Sequence, residues 1–191
     1  MPFVDSAALT IRPQKILVAG TSGAGKTTLA GRIGQLLEIE HTEMDSLFHG
    51  PDWTPLESFE TEVRRFSGEP AWVAEWQYGA VRGRLAERAD LMLWLDLPRR
   101  TVMRQVITRT VRRRLRREVL WSGNIEPPLH TVLFERDHIV RWAWRTDRRN
   151  AERMATVLVD VPSLPIVRLR SRQEIEAVLE VLACLPSDRL S

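Results

Sequence analysis

The chain is poor in cysteine and in lysine, and the two shortages exclude different things. Cys184 is the only cysteine among 191 residues, so no disulfide can form within the chain. Its setting, EIEAVLEVLACL, is helix-like and predicts a packing role for the thiol rather than a reactive one. Of 28 basic residues only Lys15 and Lys26 are lysine. Arginine at most other basic positions reads as a bias in residue usage. Lys26 is the informative exception, because it sits in a glycine-rich stretch where a compact ammonium on a flexible stem is the useful shape. Long apolar runs are missing as well: no segment reaches the roughly 18 apolar residues that a bilayer-spanning helix needs. The start, MPFVDSAALTIRPQ, lacks a basic stretch followed by an apolar one, so no signal peptide is expected and the cytoplasm is the expected location. The four histidines show no metal-ligand spacing, and no N-K-x-D motif for guanine is present.

What remains is the profile of a soluble globular protein, with 43% apolar residues, 28% charged residues and a net charge of +3. Residues 1–191 are expected to form a single domain. Apolar runs alternate with amphipathic segments, which predicts α/β layers around a mostly parallel sheet. Strands are expected at 15–20, about 39–44, 71–76 and 91–97, the last nearly all apolar (LMLWLDL) and thus buried on both faces. A fifth strand is expected at 165–170, with VLVDV at 157–161 competing for that place. Helices are expected at about 26–37, 56–66, 99–120, within 129–156, and at 172–184 with Ser171 as cap. Trp121-Ser-Gly-Asn reads as a helix stop with Gly123 as its left-handed cap, and as a hinge in the alternative reading.

Between the first strand and its helix the chain reads Gly20-Thr-Ser-Gly-Ala-Gly-Lys-Thr27, which fits G-x-x-x-x-G-K-[ST]. Glycines permit conformations that turn successive N–H groups inward, and the following helix aims its positive end at the same spot. Gly20, Ser22, Gly23, Ala24, Gly25, Lys26, Thr27 and Thr28 are therefore the expected phosphate-binding residues, with the triphosphate of ATP or GTP as ligand. Lys26 reaches the β- and γ-phosphates, and Thr27 offers its hydroxyl to Mg²⁺.

From about Lys15 to Leu185 the chain resembles the adenylate kinase-like P-loop kinases, and within them the small bacterial proteins labelled DNA topology modulation proteins or adenylate kinase-related kinases. The resemblance is carried by GTSGAGKTT, 44-MDSLFHGPDW-53, 72-WVAEWQY-78, 91-LMLWLDLPRR-100, the arginine helix and 167-VRLRS-171. It implies a P-loop NTPase fold of the nucleoside/nucleotide kinase type: a parallel five-stranded sheet of order 2-3-1-4-5, flanked by helices, with a helical lid at about 109–150. It implies transfer of the γ-phosphate of ATP, with Mg²⁺, to a small acceptor, a nucleotide or nucleoside being one class. Asp45, at the end of the second expected strand, would orient or deprotonate the attacking group. Glu75 would serve the metal together with Thr27. Asp96, in LWLDLP, has the local pattern of a metal-holding acid but belongs to a strand where such an acid usually serves the structure. His49 is a candidate substrate contact. The chain departs from adenylate kinases after Glu75, where Trp76-Gln77-Tyr78-Gly79 replaces a glycine and a proline turn; large aromatics there put AMP in doubt as acceptor.

Residues 99–117 hold nine arginines and no acid. Val102, Val106, Ile107, Val111 and Leu115 form a rough apolar stripe, while Arg109 and Arg113 share a face. By the resemblance this helix enters the lid and its arginines clamp the phosphates; Arg109 and Arg113 are the expected catalytic pair, with Arg136, Arg145 and Arg149 able to join. A second reading is a nucleotide-dependent regulatory or nucleic-acid-binding protein with slow ATP hydrolysis, since an arginine face also suits a phosphate backbone and Trp142 and Trp144 flank arginines. The small net charge and the absence of a helix-turn-helix or zinc pattern count against it. Neither a membrane nor a particular oligomeric state is indicated.

Overall fold

A computed structural model describes residues 3–116, 122 and 151–186. Five parallel strands, β1 (Lys15–Gly20), β2 (His41–Thr42), β3 (Trp72–Glu75), β4 (Leu91–Leu95) and β5 (Ile166–Leu169), lie in the order β2-β3-β1-β4-β5. This is the expected 2-3-1-4-5 sheet. Helices α1 (Lys26–Leu37), α2 (Met44–Phe48), α3 (Phe59–Phe66), α4 (Gly79–Arg88), α5 (Arg99–Arg116), α6 (151–160) and α7 (Arg172–Cys184) cover its two faces.

The period of two along β1 assigns the faces. Ile16 and Val18 pack with Leu29 and Ile33 of α1, Val102 and Val106 of α5, and Val178 and Leu182 of α7. Leu17 and Ala19 pack with Met44 of α2, Phe59 and Val63 of α3, Val81 and Leu85 of α4, and Met154 and Val157 of α6. With both faces covered, β1 and β4 can be apolar almost throughout, and Ile16 to Ala19 are fully buried. The chain leaves β1 toward one face and β3 toward the other. The crevice at the carboxyl ends of these paired strands is the place where open α/β sheets bind ligands.

Several boundaries differ from the sequence expectation. The second strand is only His41–Thr42, and Asp45 stands in the first turn of α2 rather than at a strand end. The reason is tertiary: the Glu75 carboxylate accepts the Met44 N–H at 2.9 Å and starts a helix there. The stretch 157–160 is helical, despite its β-branched residues, because Met154 and Val157 lie on the apolar face of α6. Ile107 is half exposed and does not continue the stripe of Val102 and Val106. Cys184 is exposed at the end of α7 rather than packed. Ser171 does cap α7, accepting the Glu174 N–H at 3.1 Å. The Trp121–Asn124 stop, apart from Ser122, and most of the 109–150 lid, including Arg136, Trp142, Trp144, Arg145 and Arg149, lie outside the described residues.

The contact that fixes α5 is between a glycine and a valine. Gly23 has φ +83, and a β-carbon built on it would lie 2.1 Å from Val106 Cγ2. The arginine helix thus rests directly on the glycine-rich loop after β1, and nothing larger than glycine fits between them. Gly23→Ala is expected to destabilise the protein by about 1–3 kcal/mol, from overpacking and from the left-handed backbone together. Val106→Ala in the same chain should recover only the overpacking part. Chemical denaturation of the three variants checks both statements.

Candidate functional site

The loop after β1 is built on positive φ at Gly23 (83°) and Gly25 (97°). Gly25 opens α1 with no side-chain cap, so the first N–H groups of the helix meet no side-chain acceptor from that residue. A β-carbon on Gly25 would meet nothing within 4 Å, so the space in front of the helix is open. Thr27 and Thr28 are exposed, Ser22 is half-buried and Ala24 is buried. The Lys26 side chain curls back and donates to the Thr21 carbonyl at 3.3 Å. Burial holds its amine below the usual lysine range; Asp45 and Glu75 pull upward, and Arg109 pushes further down. That balance places Asp45, Glu75 and Arg109 each within electrostatic reach of Lys26. Four of the expected site residues are therefore brought together from α1, α2, β3 and α5. The side chain of Arg113 lies outside the described residues.

Glu75 is the most enclosed carboxylate of the site, 1% exposed. Its Oε1 lies 3.2 Å from His41 Nε2, its Oε2 accepts the Met44 N–H at 2.9 Å, and the Thr27 side chain is near enough to favour its charged form slightly. Burial alone would raise its pKa, but the His41 contact and the Met44 amide outweigh that, and the carboxyl titrates below its ordinary range. Glu75 therefore links β2 and α2 at the end of β3. Asp96, by contrast, accepts from Arg168 Nε at 2.7 Å on the neighbouring β5, and the Arg168 guanidinium covers the Trp94 ring at 4.7 Å. It belongs to the β4–β5 edge of the structure.

Asp45 faces the β3–α4 turn. Its Oδ1 accepts from Gln77 Nε2 at 2.7 Å and from the Tyr78 hydroxyl at 2.6 Å. Tyr78 stacks on Phe48 at 4.1 Å and meets Phe59 edge-on at 5.1 Å, while His49 lies edge-on to Trp53 at 5.2 Å. Tyr78 and the aromatics around His49 thus form one wall of the crevice, whereas Trp76 is buried in the core with its Nε1 donating to the Arg82 carbonyl at 3.1 Å. Ser122 donates to the His49 carbonyl at 2.8 Å, which brings the chain after α5 to the same wall. Among the described residues no group of three or more His, Cys, Asp or Glu is arranged to hold a metal. No described helix is long and apolar enough to cross a membrane. Gln77 and Tyr78 were not singled out as site residues from the sequence; the side-chain oxygen they share is 32 and 33 positions away.

Because the folded Glu75 titrates low, its contribution to stability is complete above the ordinary glutamate range and is lost as pH falls through the folded value. Glu75→Gln should cost about 1–3 kcal/mol near neutral pH, since amide hydrogens replace one acceptor oxygen. The difference from the parent should shrink as pH falls below about 4, where the parent carboxyl gains its own proton. Urea titrations of both proteins at neutral and acid pH read this directly.

Comparison with solved structures places the fold. The chain is similar to shikimate kinase from Bacteroides thetaiotaomicron, with a TM-score of 0.54, 14% identity, and coverage of 89% of this chain and 96% of that one. It is also similar to shikimate kinase from Acinetobacter baumannii in complex with shikimate, with a TM-score of 0.52, 15% identity and coverage of 96% and 97%. No family model matches the chain, and no curated protein matches it in sequence. The five-stranded parallel sheet of order 2-3-1-4-5 with its flanking helices is the fold of P-loop kinases such as shikimate kinase.

Proposed function

We propose that this chain binds ATP with Mg²⁺ and transfers the γ-phosphoryl group to a hydroxyl of a small acceptor. The observation that carries the reading is the convergence of Lys26, Arg109, Asp45 and Glu75 on one crevice beside an open, glycine-built anion nest. Backbone N–H groups of Gly23, Gly25, Lys26 and Thr27, with the Lys26 amine, would take up the phosphates, while the Ala24 N–H donates to the Thr21 carbonyl. Thr27 and Glu75 fit a magnesium ion as an escort of the nucleotide, held mostly by phosphate and water; when bound it would offset phosphate charge. Arg109 would add a guanidinium where charge spreads over the transferring oxygens.

Asp45 decides the acceptor chemistry. A carboxylate beside the transferring phosphate orients a hydroxyl and accepts its proton, whereas it repels a phosphate oxygen of a nucleotide acceptor. The acceptor is therefore an alcohol such as a sugar, a nucleoside or a hydroxy acid, rather than a nucleoside monophosphate. The low-identity likeness to shikimate kinases supports the same class. Resemblance to the DNA topology modulation proteins rests on the motifs alone and adds no acceptor.

Two substitutions separate binding from chemistry. Lys26→Ala removes one charge from the nest, and ATP affinity or turnover should fall about 100-fold with the fold retained. Asp45→Asn keeps shape and should lower phosphate transfer about 100-fold or more while ATP affinity changes less than about threefold. Calorimetric ATP titration and initial-rate measurement of each folded variant supply the two numbers. Parent-like turnover in Lys26→Ala would end the nucleotide assignment, and parent-like transfer in Asp45→Asn would reduce Asp45 to a loop acid.

A further inference from the structure

Both hydrogen bonds that Asp45 receives among the described residues fall on the same oxygen. Gln77 Nε2 and the Tyr78 hydroxyl reach Oδ1 at 2.7 and 2.6 Å, and Oδ2 receives none. The arrangement is held at some conformational expense. Tyr78 begins α4 with φ 62 and ψ 113, a region that a bulky L residue adopts only when its surroundings impose it. Those surroundings are visible: the ring lies between Phe48, stacked at 4.1 Å, and Phe59, edge-on at 5.1 Å. The ring cannot turn without leaving that slot, so its hydroxyl has one direction. The phenol carries one proton and gives it to Asp45. The 3.3 Å contact with His49 therefore has His49 Nε2 as donor and the phenol oxygen as acceptor.

We infer that Tyr78 and Gln77 act as a positioning clamp on Asp45, occupying Oδ1 so that Oδ2 alone is presented to the acceptor hydroxyl. The inference deepens the phosphotransfer reading and rests on it. With two donors already on Oδ1, the lone pairs of Oδ2 are left to accept from a hydroxyl or water. During transfer the acceptor O–H proton passes to Oδ2 as the oxygen–phosphorus bond forms, and the bridging oxygen leaves with ADP. The titratable and charged groups around the clamp are Asp45 from α2, His49 directly after it, Glu75 from β3 and Lys26 from α1, with Arg109 of α5 acting on Lys26. Burial and the negative charge of Asp45 and Glu75 push the phenol itself upward, so it stays protonated as a donor throughout the working range.

Tyr78 is the only tyrosine in the chain, which makes the test specific. Protein labelled with ¹³C at tyrosine Cζ gives one signal from the whole clamp. In the nucleotide-free parent that signal should step as Asp45 gains a proton at acid pH, and the step should vanish in Asp45→Asn. His49→Gln removes any separate step near neutrality and leaves the acid one. Mg·ATP turnover to water, which takes the acceptor's place at Oδ2, supplies the second readout. Tyr78→Phe keeps the ring in its slot and removes only the hydroxyl. Its Mg·ATP affinity should stay within about twofold, its kcat should fall about tenfold or more, and the acid limb of its pH–rate profile should move up by about one pH unit. Gln77→Met should move the limb in the same direction. A merely structural tyrosine would lower stability and leave the limb in place. An acid limb unmoved in both variants, or an acid step that persists in Asp45→Asn, overturns the clamp. A parent that neither binds nor turns over Mg·ATP overturns the phosphotransfer reading and with it the presenting role of Oδ2, while the tyrosine signal still shows whether Asp45 is held.

Discussion

One buried carboxylate ties the site together. Glu75 stands at the carboxyl end of β3, 1% exposed, and meets His41 of β2, the Met44 amide of α2 and Thr27 of α1. A carboxylate taken from water at that depth is costly unless its lone pairs are filled, and here β2 and α2 supply the partners. The consequence is geometric. The first turn of α2 starts where the Glu75 oxygen waits for its amide, and Asp45 is the next residue. The position of Asp45 relative to the end of β3 is thus set through a single side chain.

The second fixed element is the seat of the arginine helix. Val102 and Val106 are buried against the face of the sheet that carries α1, and Val106 occupies the space that any residue larger than glycine would need at position 23. Arg109 follows one turn after this anchor and lies in the field of Lys26. Basic groups from two helices on one face of the sheet therefore converge with acidic and aromatic groups from the other face. The crevice between them is polar in an ordered sense, cationic toward Lys26 and Arg109 and anionic toward Asp45 and Glu75.

The parts of this arrangement that were legible in the sequence are local in the chain. The P-loop is a contiguous pattern with fixed spacing, and the Ser171 cap lies three residues from its donor, Glu174. The near-continuous apolar run of β4 reports a strand buried on both faces without any partner being known. The sheet order followed from the resemblance rather than from any residue pattern. What was not legible depends on distant partners. The start of α2 is decided 31 residues away, at Glu75. Two hydrogen bonds join Asp45 to side chains beyond β3, and an isolated Gln-Tyr pair carries no signal of that kind. Residues 157–160 have strand-forming side chains but a helical apolar spacing with Met154, and packing overrode the propensity. Ile107 had the right spacing to be buried, yet the helix turns Val106 inward instead.

Phosphoryl transfer to a hydroxyl is the central claim, and the destination of the γ-phosphate tests it most directly. The folded chain is incubated with Mg²⁺, ATP labelled in the γ-position and matched pools of sugars, nucleosides, hydroxy acids and nucleoside monophosphates. The account predicts label in an organic phosphate formed from one of the alcohol pools, and none on the monophosphates. Label released only as inorganic phosphate, or transferred to a nucleoside monophosphate, would contradict it.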